Sequence, residues 1–485
     1  MRFRFLLLLL PSLTLAQVVS PDRAVRYSEM YTTAPMTLYL SPDGGNSGRC
    51  TQTRPCQTIN GAMRWVPTNV LHAVRVLPAP GLYPPEWSVI AGFNINNGYI
   101  EVEGSWQTAT GIDGGTTSGT LTSVSLTYPF FTVTDSTQSW GTDTVKGKWV
   151  RFTPDGGVTP VIGNSATTLT LLGAVTGLAP AAGRAYDLIE QAVIFQNDGG
   201  TSPTSDVVSI RDIRGGSLIS VTGAPSLNRV TLSKVAINVA GAGFWSVGFD
   251  SAGPRVEFAD VRVQGGIFLT RGPVSALSTS RFFASTNQSQ GIQIVHPVYT
   301  WTGHTYAMGA SQGLSLGSSA KMSFAQNFVF EVTSSTGAPI YLTGGQVLSN
   351  GSASNTGLVS ICPGTSTGSG VRLSTSGQFG LGPNYMMTPA LTVRNCGIGI
   401  EADNGRSEAY VSQRYEHTAD GGTALAISVA RGGKVGITSA PVLSGVRDEL
   451  RIDGVVVDGG FATLNAATPQ VLPNPASPYG SFISR

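Results

Sequence analysis

Apolar and polar residues alternate in short runs along most of the chain, with a period of two. His72-Ala-Val-Arg-Val-Leu-Pro78 puts Val74 and Val76 on one side and Arg75 on the other, the pattern of a half-buried strand stopped at a proline. Runs of this kind, separated by Gly, Asn, Ser and Pro, continue to the C-terminus and predict an all-β protein. One segment departs from the pattern. Ile59, Ala62, Met63 and Val66 recur at helical spacing and predict a helix over about residues 57–66, preceded by the turn cluster Ser41 to Gly48.

From about residue 200 the strands share a phrase of apolar, small or polar, charged, apolar. Ile210-Arg-Asp-Ile213, Leu232-Ser-Lys-Val235 and Phe258-Ala-Asp-Val261 carry it, with first members 22 and 26 residues apart. Such a spacing suits a β-solenoid, in which each turn stacks one apolar face on its equivalents. Met322–Phe328, Pro339–Leu342, Gly370–Leu373 and Leu391–Cys396 keep the composition while the spacing drifts. A β-sandwich pair is the competing architecture, and it accounts less well for so long a succession of similar strands.

Leu38-Tyr-Leu-Ser-Pro-Asp-Gly-Gly-Asn-Ser-Gly48, followed by Pro55-Cys-Gln-Thr-Ile-Asn-Gly-Ala62, resembles the opening of secreted right-handed parallel β-helix proteins of the pectin-lyase-like superfamily. Val76–Tyr83 and Tyr99–Gly104 are similar to the first rungs of that group. The resemblance implies a right-handed parallel β-helix whose N-terminal end is closed by a capping helix, which shields open strand edges from aggregation. Residues 118–190 interrupt the rungs. Asp135-Ser-Thr-Gln-Ser-Trp140, Val145–Phe152, Ile162–Leu171 and Ala185–Ile189 look like a small β-barrel module, similar to modules in phage tail-type and extracellular proteins. The expected order is therefore a signal peptide (1–16), a cap with first rungs (17–117), the inserted module (118–190) and the remaining rungs (191–485).

The signal peptide is read from Arg2 and Arg4, the apolar run Leu6 to Leu10, and a small-residue exit at Ala16. Its apolar core is too short to span a bilayer, so cleavage before Gln17 and a mature chain without a transmembrane anchor are expected, in a secreted, periplasmic or cell-surface setting. In an exported chain four cysteines read as structural disulfides: Cys50 with Cys56 closes a short loop and leaves Cys362 with Cys396, although four cysteines allow three connectivities. No metal site is expected, because the four His are scattered and CxxC spacing is absent.

Charge is sparse: 30 Lys+Arg and 28 Asp+Glu make 12% of the chain, and 61 residues are Gly. Loss of Arg2 and Arg4 with the signal peptide leaves 28 groups of each sign, which gives no electrostatic case for nucleic acid. Two patches are candidate ligand-binding sites. His296, Tyr299, Trp301, His304 and Tyr306 gather two His with three aromatics, and alternation expects Tyr299 and Trp301 on one strand face, where sugar rings could stack. The plainer reading is a loop covering the core. Glu401, Asp403, Arg406 and Glu408, with Tyr410, Arg414, Glu416, His417 and Asp420 beyond them, form the densest ionisable run, although such runs are more often paired charges around a turn.

Glycoside hydrolysis needs two carboxylates in different protonation states, and the consecutive Asp pair of polygalacturonase-like enzymes is absent. No catalytic residue is assigned and no cofactor is expected; Ca2+ enters only if the chain is a polysaccharide lyase. The leading expectation is an extracellular or cell-surface β-helix that binds a polysaccharide or extracellular matrix without catalysis. A polysaccharide lyase or glycoside hydrolase with a site assembled across rungs, and a phage-derived tail-spike-like adhesin, are the alternatives.

Overall fold

A computed structural model describes residues 31–484 except 126–129, 154–155, 173–179, 197–206, 216–227, 240–244, 251–254, 271, 273, 275, 319, 325–327, 350–356, 381–389, 405, 412–413, 420–422, 432, 438–440, 453–454, 459–469 and 474–480. The expected signal peptide and Asp420 lie outside the described residues.

Alternation in sequence becomes three parallel ladders, each forming one face of a β-helix. The first face begins with Met36–Leu40, Ala73–Pro78, Tyr99–Glu103 and Arg229–Ser233, which pair in parallel and in register. It continues through the first half of Arg255–Gln264 to Lys321–Phe324, Gln346–Ser349, Glu408–Val411 and Lys434–Ile437. The second face carries Val193–Gln196, Val235–Asn238, Phe328–Val332, Gly357–Ile361 and Ala390–Arg394. The third runs from Ser88–Ala91 through Val208–Arg211, Gln290–Ile294, Gln312–Leu316, Ile340–Thr343, Ser369–Ser374 and Ile398–Asp403 to Ala424–Ala430. One circuit takes 24 residues from Phe268 to Ile292 and 22 from Ile292 to Leu314. From Ile340 to Val371 it takes 31, so loops of unequal length explain the drifting spacing.

The charged member of the repeated phrase is a corner residue. Asp212, Lys234 and Asp260 all hold left-handed backbone, with φ of 51°, 53° and 61°. Leu232 and Phe258 are register partners one rung apart at the corner between the first and second faces. Ile210 instead belongs to the third face, so the 26-residue spacing is a true rung and the 22-residue spacing is not. Two different corners use the same turn chemistry, which sequence alone cannot separate.

Inward columns stack like on like: Val74, Ile100, Val230, Val256, Leu277 and Trp301 follow one another on the first face. Farther along, Phe258, Phe268, Phe282, Trp301, Phe324 and Phe328 make an interior run of tilted and edge-on ring contacts. Burial of each such side chain contributes about 1.5–3 kcal/mol. At the N-terminal end the helix Ile59–Met63 is capped by the Thr58 hydroxyl, which accepts from the Gly61 amide at 3.0 Å. Ile59, Ala62 and Met63 are buried on this helix, which is shorter than the expected 57–66, and Val66 is buried beyond its end.

The chain leaves the solenoid after Glu103, at the corner between the first and second faces, and returns at Val193. Between them an antiparallel sheet runs from Trp106–Thr108 to Ala185–Gln191, so it includes a strand before residue 118. This module has its own core of Leu121, Val133, Trp140, Val150, Phe152, Leu169, Tyr186 and Leu188. The Asp135…Trp140 motif is a staple of that core. Burial pushes the Asp135 carboxyl up, but hydrogen bonds from the Thr137 hydroxyl and amide, the Tyr186 hydroxyl and Gln138 outweigh it and hold the group below the usual carboxylate range.

The module lies on the second face. Its Phe130, Trp149, Val158, Ile162 and Ile189 pack with the outward column Phe283, Tyr306, Val329 and Val359. Gly147 has a φ of +83°, and a Cβ there would come within 3.1 Å of the Phe283 ring, so glycine permits the close approach. Both disulfides are formed: Cys50–Cys56 ties the loop ahead of the helix, and Cys362–Cys396 joins successive rungs just past the second face.

Candidate functional site

The aromatic patch is dispersed. Val298 and Trp301 both face the core, because the register shifts between them, and Tyr299 is left outward and 60% exposed. The same-face expectation for Tyr299 and Trp301 is therefore corrected by a bulge. Trp301 packs on Phe268 and Phe328. His296 is exposed at the corner before them. His304 and Tyr306 lie past the next corner, on the second face beneath the module. Burial, helped by Arg281, pushes His304 down to about 4. Tyr306 stacks on Phe283 with ring centroids 4.7 Å apart and donates to Glu331 at 2.6 Å, while Lys146 of the module reaches the same carboxylate at 2.9 Å.

The ionisable run is split by a corner. Glu401 and Asp403 lie on the third face, paired with Arg372 at 3.4 Å and with Arg431 Nε at 2.7 Å. Ser369 also donates to Glu401. Arg406 is exposed in the turn, and Glu408 lies on the first face, 3.0 Å from Lys434. These groups are charge pairs on two faces and do not converge on one point.

A denser constellation stands on the first face, across four successive rungs. Arg75, Glu101, Thr231 and Glu257 occupy one outward column, and Tyr99, Arg229 and Arg255 the column beside it. Arg229 is 13% exposed; its guanidinium lies 4.6 Å from the Tyr99 ring centre, donates to the Thr231 hydroxyl at 3.1 Å and approaches Glu257 at 3.4 Å. Glu257 also meets Arg255 at 3.1 Å and accepts from Thr231 at 3.2 Å. Glu101 is 16% exposed and has Arg75 at 3.9 Å. Burial raises the Glu101 carboxyl, the Glu103 and Glu257 carboxylates add to this, and Arg229 and Arg75 offset only part of it. Lys234 and Glu103 pair at 2.8 Å beside the column. Arg75 and Arg255, 54% and 37% exposed, open the cluster to solvent at its two ends.

Sequence reasoning missed this cluster. Its signal was the outward charges of Tyr99-Ile-Glu-Val-Glu103 and Arg255-Val-Glu257, readable only once the inserted module is removed and Tyr99–Glu103 is aligned with Arg229–Ser233.

No protein-family model matches the chain, and no curated protein does. Among solved structures the chain is similar to the tailspike protein gp49 from Pseudomonas phage LKA1, at 10% identity and a TM-score of 0.24 over 89% of this chain and 70% of that one. It is also similar to XylC in complex with xylose, at 8% identity and a TM-score of 0.22 over 84% and 86% of the two chains. A third similar structure is the Gp54 tailspike of Acinetobacter baumannii bacteriophage AP22 with a capsular saccharide, at 10% identity and a TM-score of 0.18 over 78% and 64%.

Proposed function

We propose that the protein is an exported polysaccharide-binding β-helix whose first face holds the glycan. The observation that carries this reading is the division of labour between faces. The module buries the centre of the second face, whereas the first presents guanidinium groups, carboxyls and an aromatic ring together on adjacent rungs. Carboxylates accept from sugar hydroxyls, guanidinium groups donate in a planar fork to hydroxyls or uronate groups, and an aromatic ring offers an apolar surface. Rungs about 4.8 Å apart repeat such contacts along a rigid surface, which suits an extended polymer. Two disulfides support an oxidising compartment. Among the described residues no helix is long and apolar enough to cross a membrane.

Affinity electrophoresis of the full chain against acidic and neutral polysaccharides tests the reading. Retardation is expected with at least one of them, and Arg75→Ala with Arg255→Ala should weaken it about tenfold or more. Equal retardation of the variant and the parent would move the glycan off this face.

A further inference from the structure

We propose that Tyr99, Tyr299 and Tyr410 form one row of sugar-stacking rings, so that the ligand of the first face is a single linear polysaccharide lying along the solenoid axis. This rests on the binding reading above and adds to it the direction, reach and chain type of the ligand. The first-face strands pair in the order Tyr99–Glu103, Arg229–Ser233, Arg255–Gln264, Leu277–Ser285 and Val298–Gly309, so Tyr299 stands four rungs beyond Tyr99. Lys321–Phe324, Gln346–Ser349, Gln378–Phe379 and Glu408–Val411 follow, so Tyr410 stands four rungs beyond Tyr299. At about 4.8 Å per rung the backbones of successive tyrosines are roughly 19 Å apart, and the row spans roughly 38 Å.

Register keeps the three in one outward column. Tyr99 pairs with Arg229, and Arg229 with Arg255. Val256 pairs with Leu277 and Leu277 with Trp301, which puts Ala276 and then Thr300 next in the column. Val298 pairs with Met322 and Trp301 with Phe324, so the bulge sets Tyr299 and Thr300 together opposite Ser323. Ser323 pairs with Leu348, Val347 with Phe379 and Phe379 with Ala409, so Gly380 and then Tyr410 continue the column. The bulge that turns Trp301 inward thus adds an exposed ring to the row.

Small residues stand beside each ring along the axis. Ala73 pairs with Tyr99, Ser323 lies opposite Tyr299, and Gly436 pairs with Tyr410, which has Gly380 on its other side. In its own column each tyrosine therefore has a neighbour without a long side chain, which leaves room for a sugar to lie against the ring. Beside Tyr410 the adjoining outward column carries Gln346, Gln378, Glu408 and Lys434 on successive rungs. Gln346 donates to Gln378 at 2.9 Å, and Lys434 meets Glu408 at 3.0 Å. An amide engaged once keeps a further donor or acceptor, so this column offers partners for sugar hydroxyls, as Arg75 and Arg255 do at the other end. The cluster around Tyr99 anchors the polymer, and Tyr299 and Tyr410 extend its contact over the C-terminal rungs. Rings evenly spaced in a straight column suit a linear chain, because branches at the stacked sugars would lift it off the face.

The test measures retention of the full chain in gels of polygalacturonate, alginate and dextran, and then competition by fragments of whichever polymer retains it. Tyr299→Ala and Tyr410→Ala should each weaken retention by about three- to tenfold, while Tyr299→Phe, which keeps the ring, stays within about twofold of the parent. Tyr299 is 60% exposed, so its substitution leaves the melting temperature unchanged and isolates the ring's part in binding. Fragments of about three sugars, too short to bridge two rings, should compete at least about a hundredfold less well than fragments of about twelve. Parental retention by both alanine variants, with Arg75→Ala/Arg255→Ala still weakened, would overturn the row and leave the binding reading standing. Short fragments that compete as well as long ones would overturn it too. A parent chain retained by none of the three polymers would remove the binding reading and this proposal together.

Discussion

Glu101 and Glu257 are 156 residues apart in the chain, yet only Thr231 separates them in a column of the first face. The distance in sequence comes largely from the module, which enters after Glu103 and returns at Val193. An insertion at a solenoid corner leaves the stacking of rungs intact, so groups on either side of it become neighbours.

Acid should destabilise the fold through two histidines. Burial lowers His417 to about 4 despite its hydrogen bond to the Cys396 carbonyl at 2.9 Å, and it lowers His304 to about the same value. The unfolded chain takes up these protons near pH 6.5, whereas the folded chain resists until about pH 4. Stability is therefore full above pH 6.5 and falls between pH 6.5 and 4, by up to about 1.4 kcal/mol per pH unit for each group. Thermal melts across this range should show the slope, and a His304→Gln/His417→Gln variant should flatten it.

Neighbouring aromatics should respond very differently to truncation. Trp301→Ala opens a cavity among Phe268 and Phe328 and should cost about 3–5 kcal/mol. Tyr299→Ala, two residues earlier on the exposed side of the bulge, should stay within about 0.5 kcal/mol. Urea denaturation midpoints of the two variants measure the contrast.

The two disulfides should contribute unequally. By the chain-entropy account, Cys50–Cys56 with a separation of 6 restrains the unfolded chain by about 2 kcal/mol, and Cys362–Cys396 with a separation of 34 by about 4 kcal/mol. Denaturation of the Cys362→Ser/Cys396→Ser variant should therefore occur at lower urea than that of Cys50→Ser/Cys56→Ser.

Gly399→Ala should be among the most damaging single-methyl additions. A Cβ there would lie 1.8 Å from the Tyr415 hydroxyl, 2.5 Å from the Ala426 carbonyl and 2.9 Å from His417 Nδ1. Tyr415 is fully buried and donates to that same carbonyl at 2.9 Å, so it has no room to yield without breaking its bond. A loss of about 3 kcal/mol or more is expected, read as a lowered melting temperature.

The architecture was largely legible because it depends on local signals. Alternation gave the strands, the spacing of Ile59, Ala62, Met63 and Val66 gave the buried helix face, and the cysteine pairing followed from a short loop. What depends on register was not legible. A bulge turns Trp301 inward and leaves Tyr299 outside, and a corner divides Glu401 from Glu408 although only six residues lie between them. The same corner chemistry at Asp212 and Lys234, on two different corners, gave a false rung spacing. The first-face cluster required knowing that Tyr99–Glu103 stacks on Arg229–Ser233, which local pattern does not reveal.

Hydrogen–deuterium exchange of the full chain, with and without saturating polysaccharide, addresses the binding face most directly. The account predicts slowed exchange concentrated in Tyr99–Glu103, Arg229–Ser233 and the first residues of Arg255–Gln264, with the third-face strands Ser369–Ser374 and Ile398–Asp403 unchanged. Protection confined to those third-face strands, with none on the first face, would contradict it.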